Sequence, residues 1–363
     1  MHIKNTSPSK KQCYFLLFFI VQMFFTCVSF AEPTILSEDF TIDSSEKGIT
    51  LFMRHKRLST TKDPSGEKTL LYVHGATYPS ETAFDLPIEG VSMMDLFAKE
   101  GFDVYLVDIR GYGGSTRPKE MSEPAANNKP IVHTQDAVDD FGSAVDYILK
   151  RNRVSKINIM GWSWGTSITG MYTTQHHDKV NRLVLYAPMW LYKADTAMPA
   201  PNANTSANSP NGIGAYRSVS KDSAKDRWLK GLDATQKENL IPPGVFEAWV
   251  NSTWATDPQA STTGTLRAPN GVLDDVRNFW MAGKPVYNPN QIRVPTLLIH
   301  AEWDADLPSY QAHGIFAEMK STPYKRFIEL SEGTHTVMLE KNRMQFFREI
   351  NLFLQEKNPL DLK

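Results

Sequence analysis

Between Thr69 and Ala187 short unbroken apolar runs alternate with longer stretches in which apolar residues return every three or four positions. The runs are Thr69 to His74, Phe102 to Asp108, Ile157 to Met160 and Arg182 to Ala187. Between them the spacing predicts helices over about Val91 to Glu100 and over Thr134 to Lys150. The second carries Ala137, Val138, Phe141, Ala144, Val145 and Ile148 on one stripe, with Thr134 as the expected cap. Strands without polar alternation are buried on both faces, so this order implies parallel strands joined by crossover helices. Upstream, Ile35 to Asp43 and Ile49 to Arg57 do alternate, around Ser45 Glu46 Lys47 Gly48, and predict an antiparallel hairpin.

The pattern breaks between Pro188 and Asn290. Ala197 to Pro210 is rich in Pro, Asn, Ser and Ala and reads as a mobile loop by composition, and three helix-like pieces follow near 220–232, 245–255 and 272–282. They carry Trp228, Phe246, Trp249, Trp254, Phe279 and Trp280, expected mainly to pack an inserted helical cap, with Tyr78, Trp249, Trp254 and Trp280 as candidates to line a pocket. The sheet resumes at Val294 to His300, passes a helix near Tyr310 to Met319, continues at Arg326 to Leu330, and a last amphipathic helix covers about Glu340 to Gln355. The expected fold is α/β: a doubly wound, mostly parallel sheet with an N-terminal antiparallel hairpin and an inserted helical cap. The expected organisation is a leader over 1–31, a core over 32–188, the cap over 189–290, and the rest of the core over 291–363.

Residues 1 to 31 read apart from the rest. Lys4, Lys10 and Lys11 precede an apolar run from Tyr14 to Phe25, and Ser29 Phe30 Ala31 supplies small residues, the arrangement of a secretory signal peptide cleaved after Ala31. An uncleaved membrane anchor is the rival reading, since the run approaches the ~20 residues that span a bilayer. The chain is expected to be secreted or periplasmic, with no stable membrane insertion after cleavage. Both cysteines, Cys13 and Cys27, fall in that segment, so the mature chain offers no thiol nucleophile and no thiolate metal site. Without the three lysines the 39 basic and 40 acidic residues become 36 against 40, a formal charge of -4, which gives no argument for a nucleic-acid partner.

Candidate chemistry centres on Gly161 Trp162 Ser163 Trp164 Gly165, where an apolar strand meets a helix-like stretch running to about His177. Such a strand, tight turn and helix with serine at the apex is a nucleophile elbow. A serine hydroxyl is a weak nucleophile near neutral pH and needs a base, itself oriented by an acid. In the order serine, acid, histidine, Asp304 lies in the loop after the Val294 to His300 strand, and His335 in the loop after the Arg326 to Leu330 strand. Asp306 and, more remotely, Asp195 are rival acids. His133 is a rival base, while His176, His177, His300 and His313 fall on helix or strand segments where structural histidines are the default. His74 is expected to anchor its loop, and Trp162 and Trp164 to pack around the elbow. The glycine-dense loop Ile109 to Ser115 lacks the Gly-Lys-Ser/Thr of a phosphate cradle.

Together with His74 Gly75 Ala76 and Asp108 to Ser115, these motifs resemble those of the α/β-hydrolase fold superfamily, in its capped serine-esterase branch, over residues 35 to 356. The resemblance implies that the backbone N–H groups of Ala76 and Trp164 bind the oxyanion, and that the chain hydrolyses a small-molecule carboxylic ester or lactone by acyl transfer through Ser163, His335 and Asp304, with no metal or cofactor. The serine at the apex disfavours the epoxide-hydrolase and dehalogenase branches. Lactonase, thioesterase, aminopeptidase and carbon–carbon hydrolase chemistry share the triad, and Glu238 and Glu247 are too weakly placed to argue for an amine-binding peptidase. A non-catalytic ligand-binding protein is the reading from a different class.

Overall fold

The computed structural model describes residues 1–2, 33–193, 212–357 and 359–360. The expected leader with its cleavage position, and the Pro- and Asn-rich stretch of 197–210, lie outside the described residues. The chain divides into two compact units, 1–33 and 34–363, and every helix and strand named here belongs to the second.

Hydrophobic continuity along four strands has the consequence expected of it. β1 (Ile35–Asp43) and β2 (Thr50–Leu58) form the hairpin, and β3 (Thr69–Val73) and β4 (Asp103–Val107) follow with every residue buried. Between β3 and β4 lie a short α1 (Ser80–Phe84), for which the hydrophobic pattern gave no signal, and α2 (Met93–Lys99), entered through a capping box of Ser92 and Asp95. Next come α3 (Thr134–Asn152), β5 (Ile157–Trp162), α4 (Trp164–Gln175) and β6 (Val180–Tyr186). All six stripe residues of α3 are buried. Its cap position is His133 rather than Thr134: the His133 N–H donates to Asp136, while the Thr134 hydroxyl donates to Asp275 at 2.6 Å.

The segment after β6 is built from small pieces: β7 (Tyr216–Ser220), α5 (Lys221–Trp228), α6 (Ala234–Lys237), α7 (Val245–Ala255), α8 (Ala260–Thr263), β8 (Thr265–Pro269) and α9 (Gly271–Asp275). The third expected helix is α9 followed by a π-helical turn over Val276–Trp280. β7 and β8 pair antiparallel as a separate two-stranded sheet, Tyr216 opposite Pro269. No periodicity announced that pairing, because the two short strands are brought together across the whole helical stretch between them. The main sheet then takes β9 (Thr296–Ala301), α10 (Ser309–Glu318), β10 (Lys325–Leu330) and α11 (Arg343–Gln355).

Among the described residues the main sheet has eight strands in the order β1-β2-β4-β3-β5-β6-β9-β10, parallel from β4 to β10. Register fixes what meets at its carboxyl edge. Gly161 pairs with Val73 on one side and Leu185 on the other, Leu185 pairs with Leu298, and Ala301 pairs with Leu330. The loops after β3, β5, β9 and β10 therefore leave the sheet side by side, where open α/β sheets bind ligands.

Candidate active site

Ser163 stands between β5 and α4 with φ 57° and ψ −121°, in the positive-φ region that disfavours any side chain. The turn is held because its flanks touch. A Cβ on Gly161 would come within 2.1 Å of the Gly165 carbonyl oxygen, and one on Gly165 within 2.6 Å of the His74 carbonyl oxygen. Only glycine permits that approach. The Ser163 N–H donates to the Tyr186 carbonyl at 2.9 Å, which ties the apex to the next strand.

His335 leaves the sheet after β10. Its Nδ1 lies 2.7 Å from Asp304 Oδ2, and the other carboxylate oxygen of Asp304 accepts the N–H groups of Asp306 at 2.9 Å and Leu307 at 3.0 Å. Of the rival acids, Asp306 is ion-paired to Arg227 at 2.5 Å, and Asp195 lies outside the described residues. Trp162 Nε1 donates to the His335 carbonyl at 2.9 Å, so Trp162 holds the histidine loop as well as packing. Tyr186 donates its hydroxyl to the Thr334 carbonyl, also at 2.9 Å. Glu340, fully buried, accepts from the N–H and hydroxyl of Thr334 and from Trp228 Nε1 at 2.7 Å. Burial pushes the Glu340 carboxyl up to about 7 despite those donors. Nothing in the sequence singled out Glu340; its only trace was its place at the start of the expected last helix, which begins instead at Arg343.

Two of the other histidines, His74 and His133, have structural partners. His74, fully buried, accepts the Ile109 N–H at Nε2 (3.0 Å) and donates from Nδ1 to the Gly75 carbonyl, and burial lowers its pKa to about 4. It anchors its loop as a neutral ring. His133 pairs with Asp275 at 2.9 Å. The glycine-dense loop wraps the buried Asp108, whose carboxylate accepts from the Ser80 and Gly114 N–H groups and is raised by burial to about 7.

Two cavities meet at Ser163 and share Ala76, Thr77, Arg227 and Asp306. The smaller, about 20 Å³, is bordered by Ser163 and His335 together with Tyr78, Trp162, Trp228 and Trp249. The larger, about 410 Å³, runs between Met189, Tyr192, Arg217, Val272 and Val276. Tyr78 and Trp249 border the smaller cavity, edge to face at 4.7 Å. Trp254 and Trp280 line neither cavity. Trp254 packs behind Trp249 and donates to the Gly264 carbonyl at 3.2 Å, and Trp280 is fully buried beneath the segment, so for these two the packing role holds and the pocket role does not. Trp164 is fully buried too, its Nε1 donating to Thr134 Oγ1.

Ala76 and Trp164 present backbone N–H groups that have no acceptor among the described residues. The Ala76 carbonyl is held by the Tyr112 hydroxyl at 2.7 Å and by the Arg217 guanidinium. Among the described residues no hydrogen bond joins the Ser163 hydroxyl to the His335 imidazole, although both border the small cavity. Ala76, the Ser163 turn and His335, with Asp304 behind the imidazole, therefore border one small cavity. No group of acidic, histidine or cysteine side chains suited to holding a metal occurs among the described residues.

No curated sequence matches the chain. Among solved structures it is similar to a serine hydrolase involved in carbazole degradation, at 14% identity and a TM-score of 0.57 over 88% of this chain and 99% of that one. The 2-hydroxy-6-oxo-6-phenylhexa-2,4-dienoate hydrolase of Rhodococcus sp. strain RHA1 aligns at 16% identity and a TM-score of 0.54, with the same coverage. A thermophilic esterase from Thermogutta terrifontis gives 17% and 0.52 over 88% and 98% of the two chains. At such identities these likenesses concern the fold. The family model of the alpha/beta hydrolase fold matches residues 68–342, which take in β3, the Ser163 turn and the loops of Asp304 and His335, and the chain belongs to that family.

Proposed function

We propose that the protein is a serine hydrolase that cleaves a carboxylic ester, or the closely related bond of a lactone or thioester, through Ser163, His335 and Asp304. The observation that carries this reading is the convergence of a strained, cavity-facing serine with an imidazole whose Nδ1 is engaged by a buried carboxylate.

An Nδ1–H bound to Asp304 leaves Nε2 of His335 with its lone pair, the tautomer a general base requires. In a substrate complex the Ser163 hydroxyl comes within hydrogen-bond reach of that nitrogen, roughly 2.6–3.2 Å. His335 takes the serine proton as Oγ adds to the ester carbonyl, and the carbonyl π pair moves onto oxygen. The resulting oxyanion lies against the Ala76 and Trp164 amides, and each such donor is worth ~3 kcal/mol in the transition state. Collapse expels the alcohol, which leaves with the proton from His335. Water then repeats the cycle on the acyl-serine, releasing the acid. Asp304 keeps the imidazole in register and stabilises its protonated form.

Secretion belongs to the same proposal: residues 1–31 act as a signal peptide, and N-terminal sequencing of protein recovered from the producing cells should begin at Glu32. The catalytic reading is tested by labelling with a fluorophosphonate probe. Expected is a covalent adduct on the intact protein and none on Ser163→Ala or His335→Ala. An intact, folded protein that does not label would favour the non-catalytic ligand-binding reading. A panel of p-nitrophenyl esters, lactones, thioesters and aminoacyl anilides then separates the members of the hydrolase class.

A further inference from the structure

The larger cavity carries a charge pattern for which ester hydrolysis as such has no use. Arg217, on β7, is 5% exposed, and all its hydrogen bonds go to neutral oxygens: the Ala76 and Ala268 carbonyls, Thr77 Oγ1 at 2.9 Å, the Pro269 carbonyl at 2.6 Å and Asn270 Oδ1 at 3.2 Å. Its Nε–H has no acceptor among the described residues, and no carboxylate pairs with it there. Arg227, on α5, donates from Nη1 to the same Thr77 hydroxyl oxygen at 3.1 Å and from Nε to Asp306, which leaves its Nη2 without an acceptor among those residues. Two guanidiniums therefore converge on one hydroxyl beside Ala76, and the one carboxylate close to them, Asp306, is engaged by Arg227 and, at 3.8 Å, by Lys230.

Like charges brought together away from water repel strongly, and a buried cation without a counter-ion is costly. Burial and the neighbouring Arg227 both pull the pKa of Arg217 below its ordinary value. At the rim, exposed Lys230 and exposed Asp226 contribute one charge of each sign, so the lining carries a single positive charge in excess. Close by, the Tyr78 hydroxyl is buried and has no partner, within electrostatic reach of both arginines and Asp306. One excess charge and two unused guanidinium donors lie next to the Ser163 turn, around a cavity large enough for a small organic chain, with the unpartnered Tyr78 hydroxyl in the adjoining smaller cavity.

We propose that Arg217 and Arg227 form a carboxylate-binding subsite, so that the ester hydrolysed at Ser163 carries a second, anionic carboxylate on the part lodged in the larger cavity. This rests on the hydrolase reading for the reaction but not for the binding. A carboxylate is the monoanion that matches one excess charge, and its two oxygens can each accept a charge-assisted hydrogen bond, one from the Nε–H of Arg217 and one from Nη2 of Arg227.

The test uses matched pairs. Hydrolysis of mono(p-nitrophenyl) glutarate is compared with that of p-nitrophenyl pentanoate, of the same chain length without the charge. Expected is a kcat/KM ratio of about tenfold or more in favour of the anionic ester, as a hydrogen-bonded charge pair supplies. Arg217→Gln and Arg227→Gln should bring the ratio toward one, and Arg217→Lys should restore part of it. The ratio is the readout, since Arg217 also holds the Ala76 carbonyl and total activity will fall. Circular dichroism checks that each variant is folded, and Arg227→Gln keeps the test decisive if Arg217→Gln is not. Binding is read without turnover in Ser163→Ala by titration calorimetry with 5-oxo-5-phenylpentanoate against neutral 1-phenylpentan-1-one. Tighter binding of the carboxylate, lost in the Arg227→Gln background, supports the subsite. A ratio at or below one together with equal binding of the two ketones overturns it, whether or not Ser163 labels. Selective carboxylate binding by a protein that does not label would overturn the hydrolase reading and leave the subsite standing.

Discussion

The loops at the carboxyl edge of the sheet and the segment between β6 and β9 both face Ser163, yet they are assembled on different principles. Each edge loop departs from a strand whose register is set by pairing within the main sheet, and its key side chain is held by contacts one loop away, as Asp304 holds His335. The intervening segment reaches the site over long separations: Arg217 and Arg227 meet at Thr77, some 140 and 150 positions earlier, and Trp228 meets Glu340 112 positions later. The first kind of construction gives fixed geometry for making and breaking bonds. The second gives a lining that can change with little effect on that geometry, and it is where selection among substrates would be placed.

The sharpest way to break that division is at the serine. Ser163→Ala should lower kcat by about a millionfold, as loss of a triad serine does elsewhere, with thermal stability little changed; ester kinetics and a melting curve measure both. Next in size is the contrast between the two aspartates. Asp304→Asn disturbs the imidazole tautomer and should cost roughly 10⁴-fold in kcat, whereas Asp306→Asn, whose partner is Arg227, should cost far less on neutral esters. Equal losses would mean that the two regions share the chemical step.

Glu340 tests the seam between them. Its folded-state pKa of about 7 stands above the ordinary carboxyl value of 4.5, so folded protein holds the proton more tightly than unfolded chain. That contribution is fully present below about pH 4.5 and is lost as pH rises through 7. Glu340→Gln should therefore flatten the fall in Tm between pH 5 and pH 8, and a slope equal to that of the parent would refute the assignment. The smallest effects separate lining from packing. Trp254→Phe should lower stability by roughly 1–3 kcal/mol and leave acyl-chain preference as it is, while Trp249→Phe, which widens the small cavity, should shift that preference toward bulkier groups.

These two kinds of construction also explain how far the chain could be read as letters. The unbroken apolar runs, the six-residue stripe of α3 and the Gly161 to Gly165 turn are local patterns with one structural solution each, and the order of Ser163, Asp304 and His335 follows from the order of the strands that carry them. Asp304 was separable from Asp306 only once the distance to the imidazole was visible. Arg217 sits in a short strand that pairs with residues 265–269, a contact no periodicity announces, and its lack of a counter-ion is a property of the folded interior alone. That Trp254 and Trp280 pack away from both cavities is hidden in the sequence for the same reason: an aromatic on a helix has no sequence mark for which side it presents.

The tight approach of Gly161 to Gly165, and of Gly165 to His74, has a consequence for how such a protein can diverge. The place of the Ser163 apex relative to the strands beside it is gauged by main chain resting on main chain, not by the fit of any one side chain. Divergence of the chain is constrained at these two positions, where even a methyl group would force the main-chain segments apart.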